Sequence, residues 1–268
     1  MISETEKPTG RNRKLRLILK TDAIICLVVG LAMAGLAIAG PVAVWLGLAD
    51  FRLGFGYLQI VNGWADWVAA GTLIVAIGIG VTALVLKIEN SGSLIALALV
   101  GTFCAALAYA VPESFRPPEG TPPIHDITTN PMNPPEFRAI VPIREGAPNS
   151  LEYGSGEDMT PAKLMGMQLE AYPDIVPQEF DLSTDEVFSK AVAAAEKMGW
   201  EIVDVNPVER RLEATDTTFW FQFKDDIIVT IEAGNGSSVL NARSVSRVGR
   251  SDVGKNAERL REFFALLK

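Results

Sequence analysis

Histidine and cysteine are nearly absent from this chain. Among 268 residues there are one histidine, His125, and two cysteines, Cys26 and Cys104. Two thiols cannot furnish a cysteine-type structural zinc site. Both lie inside long apolar runs, at depths that differ by roughly 10 Å at ~1.5 Å of helix rise per residue, too far apart for a disulfide. The polar remainder has no cysteine, so its stability rests on a hydrophobic core. Excess positive charge is missing as well, with a net charge of −8. Residues 1–111 hold 8 Lys/Arg and 6 Asp/Glu, whereas residues 112–268 hold 16 and 26. An acidic soluble part argues against broad nucleic-acid binding, which needs cations to replace phosphate counterions. No Gly-x-Ser-x-Gly elbow and no Ser-x-x-Lys dyad occurs, so the commonest serine-nucleophile arrangements have no foothold.

What the chain does have is three apolar runs, at 23–48, 67–86 and 93–111. A helix needs about 20 apolar residues to cross ~30 Å of hydrocarbon, and each run reaches about that length. Their interiors carry no charge. Transporters usually need ionisable groups at depth, which argues against transport by this bundle alone. Arg11, Arg13, Lys14, Arg16 and Lys20 precede the first run, Lys87 lies between the second and third, and only Arg52 lies in the 49–66 link. Cations near spans stay on the cytoplasmic side. The expected layout has the N-terminus and the 87–92 turn inside, with the 49–66 loop and residues 112–268 outside. In a Gram-negative source that is the periplasm. Trp45, Phe51, Tyr57, Trp64, Trp67 and Tyr109 gather at the outer ends, as an interfacial aromatic belt does. Ala37-Ile38-Ala39 has the small-x-small form of a signal-peptide cleavage site, but the apolar run continues past it through Leu48, which favours an uncleaved span. Gly30/Ala34 and Gly35/Ala39 have the small-xxx-small spacing that allows close helix approach, inside the bundle or in a homo-oligomer. Pro41 is placed to kink the first span near its outer third.

Residues 112–177 contain 13 of the 16 prolines. That density disfavours helix and strand, so 112–180 reads as an extended tether that becomes a wrap. Thr160-Pro161 signals one short helix inside it, with Leu164, Met165 and Leu169 on one face. Residues 181–268 read as an α+β core. Ser183 to Glu186 fits a capping box for a helix that Gly199 ends. Strands are expected at 200–205, 211–215, 218–223, 227–233 and 239–248, with Phe219, Phe221 and Phe223 alternating on one face. Asn235-Gly236 suits a tight hairpin, and a closing helix runs over 255–267. Helix, antiparallel meander of four to five strands, helix makes a two-layer α+β domain behind a three-helix transmembrane bundle, with a helix-grip arrangement as one version.

The last strand carries the main binding candidates. Arg243 and Arg247 share a face, and Arg250, Lys255, Arg259 and Arg261 follow. Free N–H groups at a helix start favour an anion, and arginine recognises phosphate or carboxylate with two prongs. Arg243, Arg247, Arg250, Lys255, Asn256 and Arg259 therefore form a candidate ligand site. The competing reading pairs these cations internally, Arg243 or Arg247 with Glu232 and Arg250 with Asp252. Gly249 to Asn256 nearly fits the P-loop pattern, but Asn256 stands where a hydroxyl is needed and no parallel sheet follows. His125 with Asp126, or with Ser251, is the candidate for acid–base chemistry. His125 lies in the proline-rich wrap, where a structural hydrogen bond is the commoner use, and Ser251 beside Asp252 suits a helix cap. Asp225-Asp226 is the candidate cation pair, against the reading of a solvated turn. Nothing in the motifs calls for a cofactor.

The string Ser244-Val-Ser-Arg-Val-Gly-Arg-Ser-Asp-Val-Gly254, with Asn256 and Arg259 after it, resembles the signature of the bacterial family called domain of unknown function 1499. Tyr172-Pro-Asp-Ile175, Glu213-Ala-Thr215 and Asp225-Asp-Ile227 agree with it. The resemblance covers about 121–268 and excludes the apolar runs. It implies domain extent and carries no established activity. Three functions follow from the residues: a membrane-anchored module binding an anionic lipid, glycan or protein in envelope maintenance; a hydrolase using His125; or a scaffold subunit that meets its complex through the spans.

Overall fold

The computed structural model describes residues 10–156 and 158–268, which divide after Arg116 into two compact units. The first is a bundle of three helices, α1 (Gly10–Trp45), α2 (Phe51–Val85) and α3 (Gly92–Glu113). All three are long and apolar enough to cross a membrane. The 49–66 segment, expected as a loop, is instead mostly helix. The Asp50 carboxylate caps α2 by accepting from the N–H groups of Arg52 and Leu53 at 2.8 and 3.0 Å. The glycines at 54, 56 and 63 masked that signal in the sequence, yet Gly54, Val61 and Ala65 face the bundle at helical spacing. Arg52 and Asp66 therefore stand on a helix that continues into the span.

Close backbone contact holds the bundle. A Cβ at Gly30 would collide with the Gly101 carbonyl of α3, and one at Gly40 would reach 2.5 Å from the Gly54 carbonyl of α2. Gly30 thus packs inside the bundle, whereas Gly35 meets nothing within 4 Å. Pro41 lies within α1, which continues to Trp45. Both cysteines are free.

The second unit is built on one antiparallel sheet. Its strands are β1 (Asp126–Thr128), β2 (Gln178–Phe180), β3 (Glu201–Asn206), β4 (Arg211–Thr217), β5 (Lys224–Ala233) and β6 (Ser238–Ser246). The order is β1-β6-β5-β4-β3, and β2 also pairs with β6. The wrap thus contributes two short strands the proline density had hidden. Helices α5 (Thr184–Lys197) and α6 (Lys255–Leu267) cover one face. The capping box at Ser183–Glu186 forms, and α6 has the expected bounds. Val187, Ala191, Leu260 and Phe263 meet Leu212, Val229, Leu240 and Ala242 in the main core. The α+β expectation stands, and the wrap adds cover on the opposite face, where Phe137 and Ile140 pack on Ile228 and Val245.

Two local expectations fail. Residues 218–223 form the turn between β4 and β5, because a reversal is needed once Thr217 pairs with Lys224. The Thr218 hydroxyl closes it by accepting from the Phe223 N–H at 2.9 Å. Phe219, Phe221 and Phe223 consequently do not share a strand face: Phe221 is buried and Phe219 exposed. In α4 (Pro161–Ala171), Leu164 is buried as expected, but Leu169 is exposed and Gln168 is buried in its place. The Gln168 amide acts as a strand neighbour for Thr128, accepting from its N–H at 3.0 Å and donating to its carbonyl at 2.6 Å.

Candidate functional site

Alternation along the strands sorts the charged residues onto two faces. Register places Glu213, Ile228 and Arg243 in one row across β4, β5 and β6, and Thr215, Asp226, Val245 and Asp126 in the next. These side chains lie beneath the wrap. Arg243 is 2% exposed and grips the Asp126 carboxylate with two bonds, Nε to Oδ1 at 2.9 Å and Nη2 to Oδ2 at 2.7 Å. It also donates to the Pro135 and Leu151 carbonyls of the wrap at 3.2 and 2.7 Å. The rings of Phe137 and Tyr153 flank its guanidinium with centroids at 5.6 and 5.5 Å. Burial raises the Tyr153 hydroxyl above its ordinary value.

Asp226 is fully buried between two arginines. It accepts from Arg247 at 2.9 and 2.8 Å, from Arg144 at 2.7 Å and from the Thr215 hydroxyl at 2.7 Å. The hydrogen bonds to Asp226 raise the Arg247 pKa. Burial lowers that of Arg144 despite the same carboxylate. Arg144 further donates to the carbonyls of Val245, Asn149 and Ser246. Glu213 ties down the wrap backbone, accepting from the N–H groups of Arg138 and Ile140 at 2.8 and 2.9 Å.

The helix-facing side of β6 carries a second network. Arg259 on α6 donates to Asp216 at 2.8 Å, Asp225 at 2.6 Å, Ser244 at 3.2 Å and Asn256 at 2.5 Å. Burial opposes its charge, but Asp225 and Asp216 outweigh that and raise its pKa. Asn256 accepts from the Ser244 hydroxyl and donates to the Ser246 hydroxyl and the His125 carbonyl. The expected anion at the start of α6 is the protein's own. Asp252 accepts from the N–H groups of Gly254 and Asn256, each at 2.8 Å. Burial raises its pKa even so. The Asp252, Val253 and Lys255 N–H groups bond to the Ile124 carbonyl, the Ser251 hydroxyl and the Asp252 carbonyl. The near-P-loop string therefore has these N–H groups turned to internal partners.

The six ligand candidates thus separate. Arg243, Arg247, Arg259 and Asn256 are engaged inside the domain, with partners other than the Glu232 expected from the sequence. Lys255 is exposed and pairs with Glu258 at 2.5 Å. Arg250 is exposed and, among the described residues, makes no ion pair. Asp225 and Asp226 point to opposite faces, each onto arginine, so they do not converge on a cation. No group of three or more His, Cys, Asp or Glu able to hold a metal occurs among the described residues. The His125–Asp126 pair is also divided, because both Asp126 oxygens serve Arg243. His125 lies instead against the 249–254 loop, with Nδ1 3.4 Å from the Arg250 carbonyl. The Ser251 hydroxyl donates to the Pro122 carbonyl at 3.4 Å. A widely open depression of about 430 Å³ lies elsewhere, between the start of α5 and the β5–β6 turn.

Sequence reasoning missed Arg144, Glu213, Gln168 and Asn149. Apart from the Arg144–Asn149 contact, the partners named lie 40 to 102 positions away, and no local pattern marks such pairing. The signals present were slight: Arg144 is one of three arginines in the proline-rich wrap, and Glu213 lies in a segment that agrees with the family signature.

No curated protein matches the chain. Residues 126–267 match the family described as Protein of unknown function (DUF1499). The match begins at the partner of Arg243 and covers the β6–α6 networks. Ser244, Ser246, Arg247, Asp252, Asn256 and Arg259, residues of the signature string and its extension, build the buried cluster that locks sheet to helix and wrap. By this match, over more than half its length, the chain belongs to the DUF1499 family.

Proposed function

We propose that this protein is a non-catalytic binding module held at the outer face of the cytoplasmic membrane, with its C-terminal unit in the periplasm and a role in envelope maintenance. The orientation rests on the cations at 11–20 in the first turns of α1 and on Lys87, against the single cation Arg52 at the start of α2. The observation that carries the binding reading is the division of the arginines. The buried ones hold the domain rigid, while Arg250 projects from the loop between β6 and α6. A rigid body with an exposed cationic rim suits recognition of a phosphate- or carboxylate-bearing partner.

The test is mass spectrometry of what co-purifies with the full-length protein in mild detergent, alongside Arg250→Ala and Lys255→Ala variants. The reading expects an anionic lipid, glycan or protein to be retained by the native chain and depleted in the variants. Equal retention by folded variants opposes it. His125 carries the alternative hydrolase reading, since it adjoins Ser251. Turnover of an ester substrate that His125→Ala abolishes would favour that reading.

A further inference from the structure

Helix α1 starts at Gly10, well ahead of its apolar run at 23–48. Its 36 residues make it roughly 54 Å long, against ~30 Å of hydrocarbon. The extra turns are cationic. Arg13, Lys14, Arg16 and Lys20 are all exposed, no acid occurs in the first turn, and among the described residues none of these cations makes an ion pair. Helical periodicity sorts the segment into two faces. Leu15 and Leu19 turn inward and join Ile88 and Leu94 in one apolar cluster, and Ala23 and Cys26 continue that buried face.

Arg13, Leu17, Lys20, Ile24 and Leu31 recur at intervals of four, three, four and seven residues, so they form one stripe on the outer face, flanked by Arg16. Leu17, Ile24 and Leu31 are 65%, 42% and 51% exposed. Asp22 lies about 160° round the helix from Lys20 at ~100° per residue, off the stripe. Lys87, beside Ile88, stands at the same end of the bundle, as does Glu89. The stripe has two chemistries in a fixed order. Cations come first, and no charged residue follows Asp22 on α1. From Lys20 to Leu31 the helix rises roughly 16 Å, close to the ~15 Å depth of one leaflet. A phospholipid presents the same order, an anionic phosphate above an acyl chain. Guanidinium groups fork onto phosphate oxygens, and lysines and arginines clustered at the end of a span attract anionic lipids.

We infer that the Arg13–Arg16–Lys20 face of α1 is a binding site for an anionic phospholipid, whose phosphate sits among these cations and whose acyl chain lies along Ile24 and Leu31. The inference rests on the membrane-anchored reading but not on its orientation, since lipid headgroups are present on both sides. It is also independent of whether Arg250 retains a separate ligand.

The experiment uses the full-length chain carrying Arg250→Ala and Lys255→Ala, so that the β6–α6 loop does not contribute. This parent is reconstituted in bilayer discs of equal parts phosphatidylcholine and phosphatidylglycerol with the same acyl chains, then extracted in mild detergent. Native mass spectrometry counts the lipids retained. The expected result is retention of phosphatidylglycerol over phosphatidylcholine. Adding Arg13→Gln, Arg16→Gln and Lys20→Gln should lower that preference at least about tenfold, since each cation near an anionic surface contributes roughly fivefold. Arg13→Lys with Arg16→Lys should keep most of it. Arg52→Gln, Lys197→Gln and Lys224→Gln, which remove as many cations elsewhere, should leave it unchanged. Equal retention of the two lipids by the parent overturns the inference, as does a preference that survives the three glutamines at 13, 16 and 20. Loss of the preference on adding inorganic phosphate also overturns it, because a phosphate without chains then suffices. A second reading needs no further variant. In discs, spin-labelled phosphatidylglycerol should show a larger immobilised fraction beside the parent than spin-labelled phosphatidylcholine, and equal fractions refute the site. A parent that does not enter the discs overturns the membrane reading and this inference together, whereas one that enters without lipid preference overturns this inference alone.

Discussion

Replacing Arg243 by methionine isolates the interaction on which the covered face of the sheet depends. The substitution keeps a long apolar stem between Phe137 and Tyr153 but removes the charge. Asp126, 4% exposed, is then left as a buried carboxylate without its cation. Removing one partner of a buried pair costs about 3–5 kcal/mol. The Pro135 and Leu151 carbonyls lose their donor too, at about 1–3 kcal/mol for each acceptor that water cannot reach. These losses overlap, so about 3–5 kcal/mol is the working figure for the variant. The double variant Arg243→Met/Asp126→Leu removes the stranded charge. It should recover at least about 2 kcal/mol, because swapping a whole buried pair for apolar groups is often neutral or stabilising. Native-state hydrogen exchange of β6 amides in the full chain reads this directly. At about 1.4 kcal/mol per tenfold change, the single variant should speed exchange of the slowest β6 amides by roughly two to four powers of ten. Limited proteolysis should open first in the wrap around 135–151, which Arg243 holds. If the single variant changes exchange by less than tenfold, or if the double variant is no better than the single, the pair does not hold this face.

Two further perturbations probe other parts of the chain. Gly101→Leu forces a side chain into the Cys26–Leu27 backbone of α1. Overpacking of this kind costs about 1–3 kcal/mol or more, so the bundle should lose thermal stability in detergent, while Gly35→Leu, on an open surface, leaves it unchanged. Asp174 accepts two hydrogen bonds from Arg261, at 2.6 and 2.7 Å, which hold its pKa below the ordinary value. The stabilisation is present above the unfolded pKa near ~3.9 and fades as pH falls through the lower folded value. The pair is about half exposed, so Asp174→Asn should cost less than ~1 kcal/mol at neutral pH, and the difference from the native chain should vanish in acid. Urea unfolding followed across pH checks both sign and size.

Much of the fold was legible because its signals are local. The capping box at Ser183–Glu186, the Thr160-Pro161 start of α4 and the bounds of α6 depend on contacts within a turn of helix. The 49–66 segment was not legible, since one aspartate cap outweighed three glycines. The 218–223 turn was misread for a related reason. Alternating aromatics look like a strand until the neighbouring strands require a reversal.

The sequence by itself determined the division into apolar helices and an acidic α+β unit, because apolar run length and side-chain period are properties of consecutive residues. It also singled out the arginines around β6 as unusual. Only the tertiary structure decided what they do. Arg243 meets Asp126 across 117 positions, and Arg144 meets Asp226 across 82. A buried guanidinium needs a buried carboxylate, and which carboxylate lies beneath it is set by strand register and by the path of the wrap, not by any spacing along the chain.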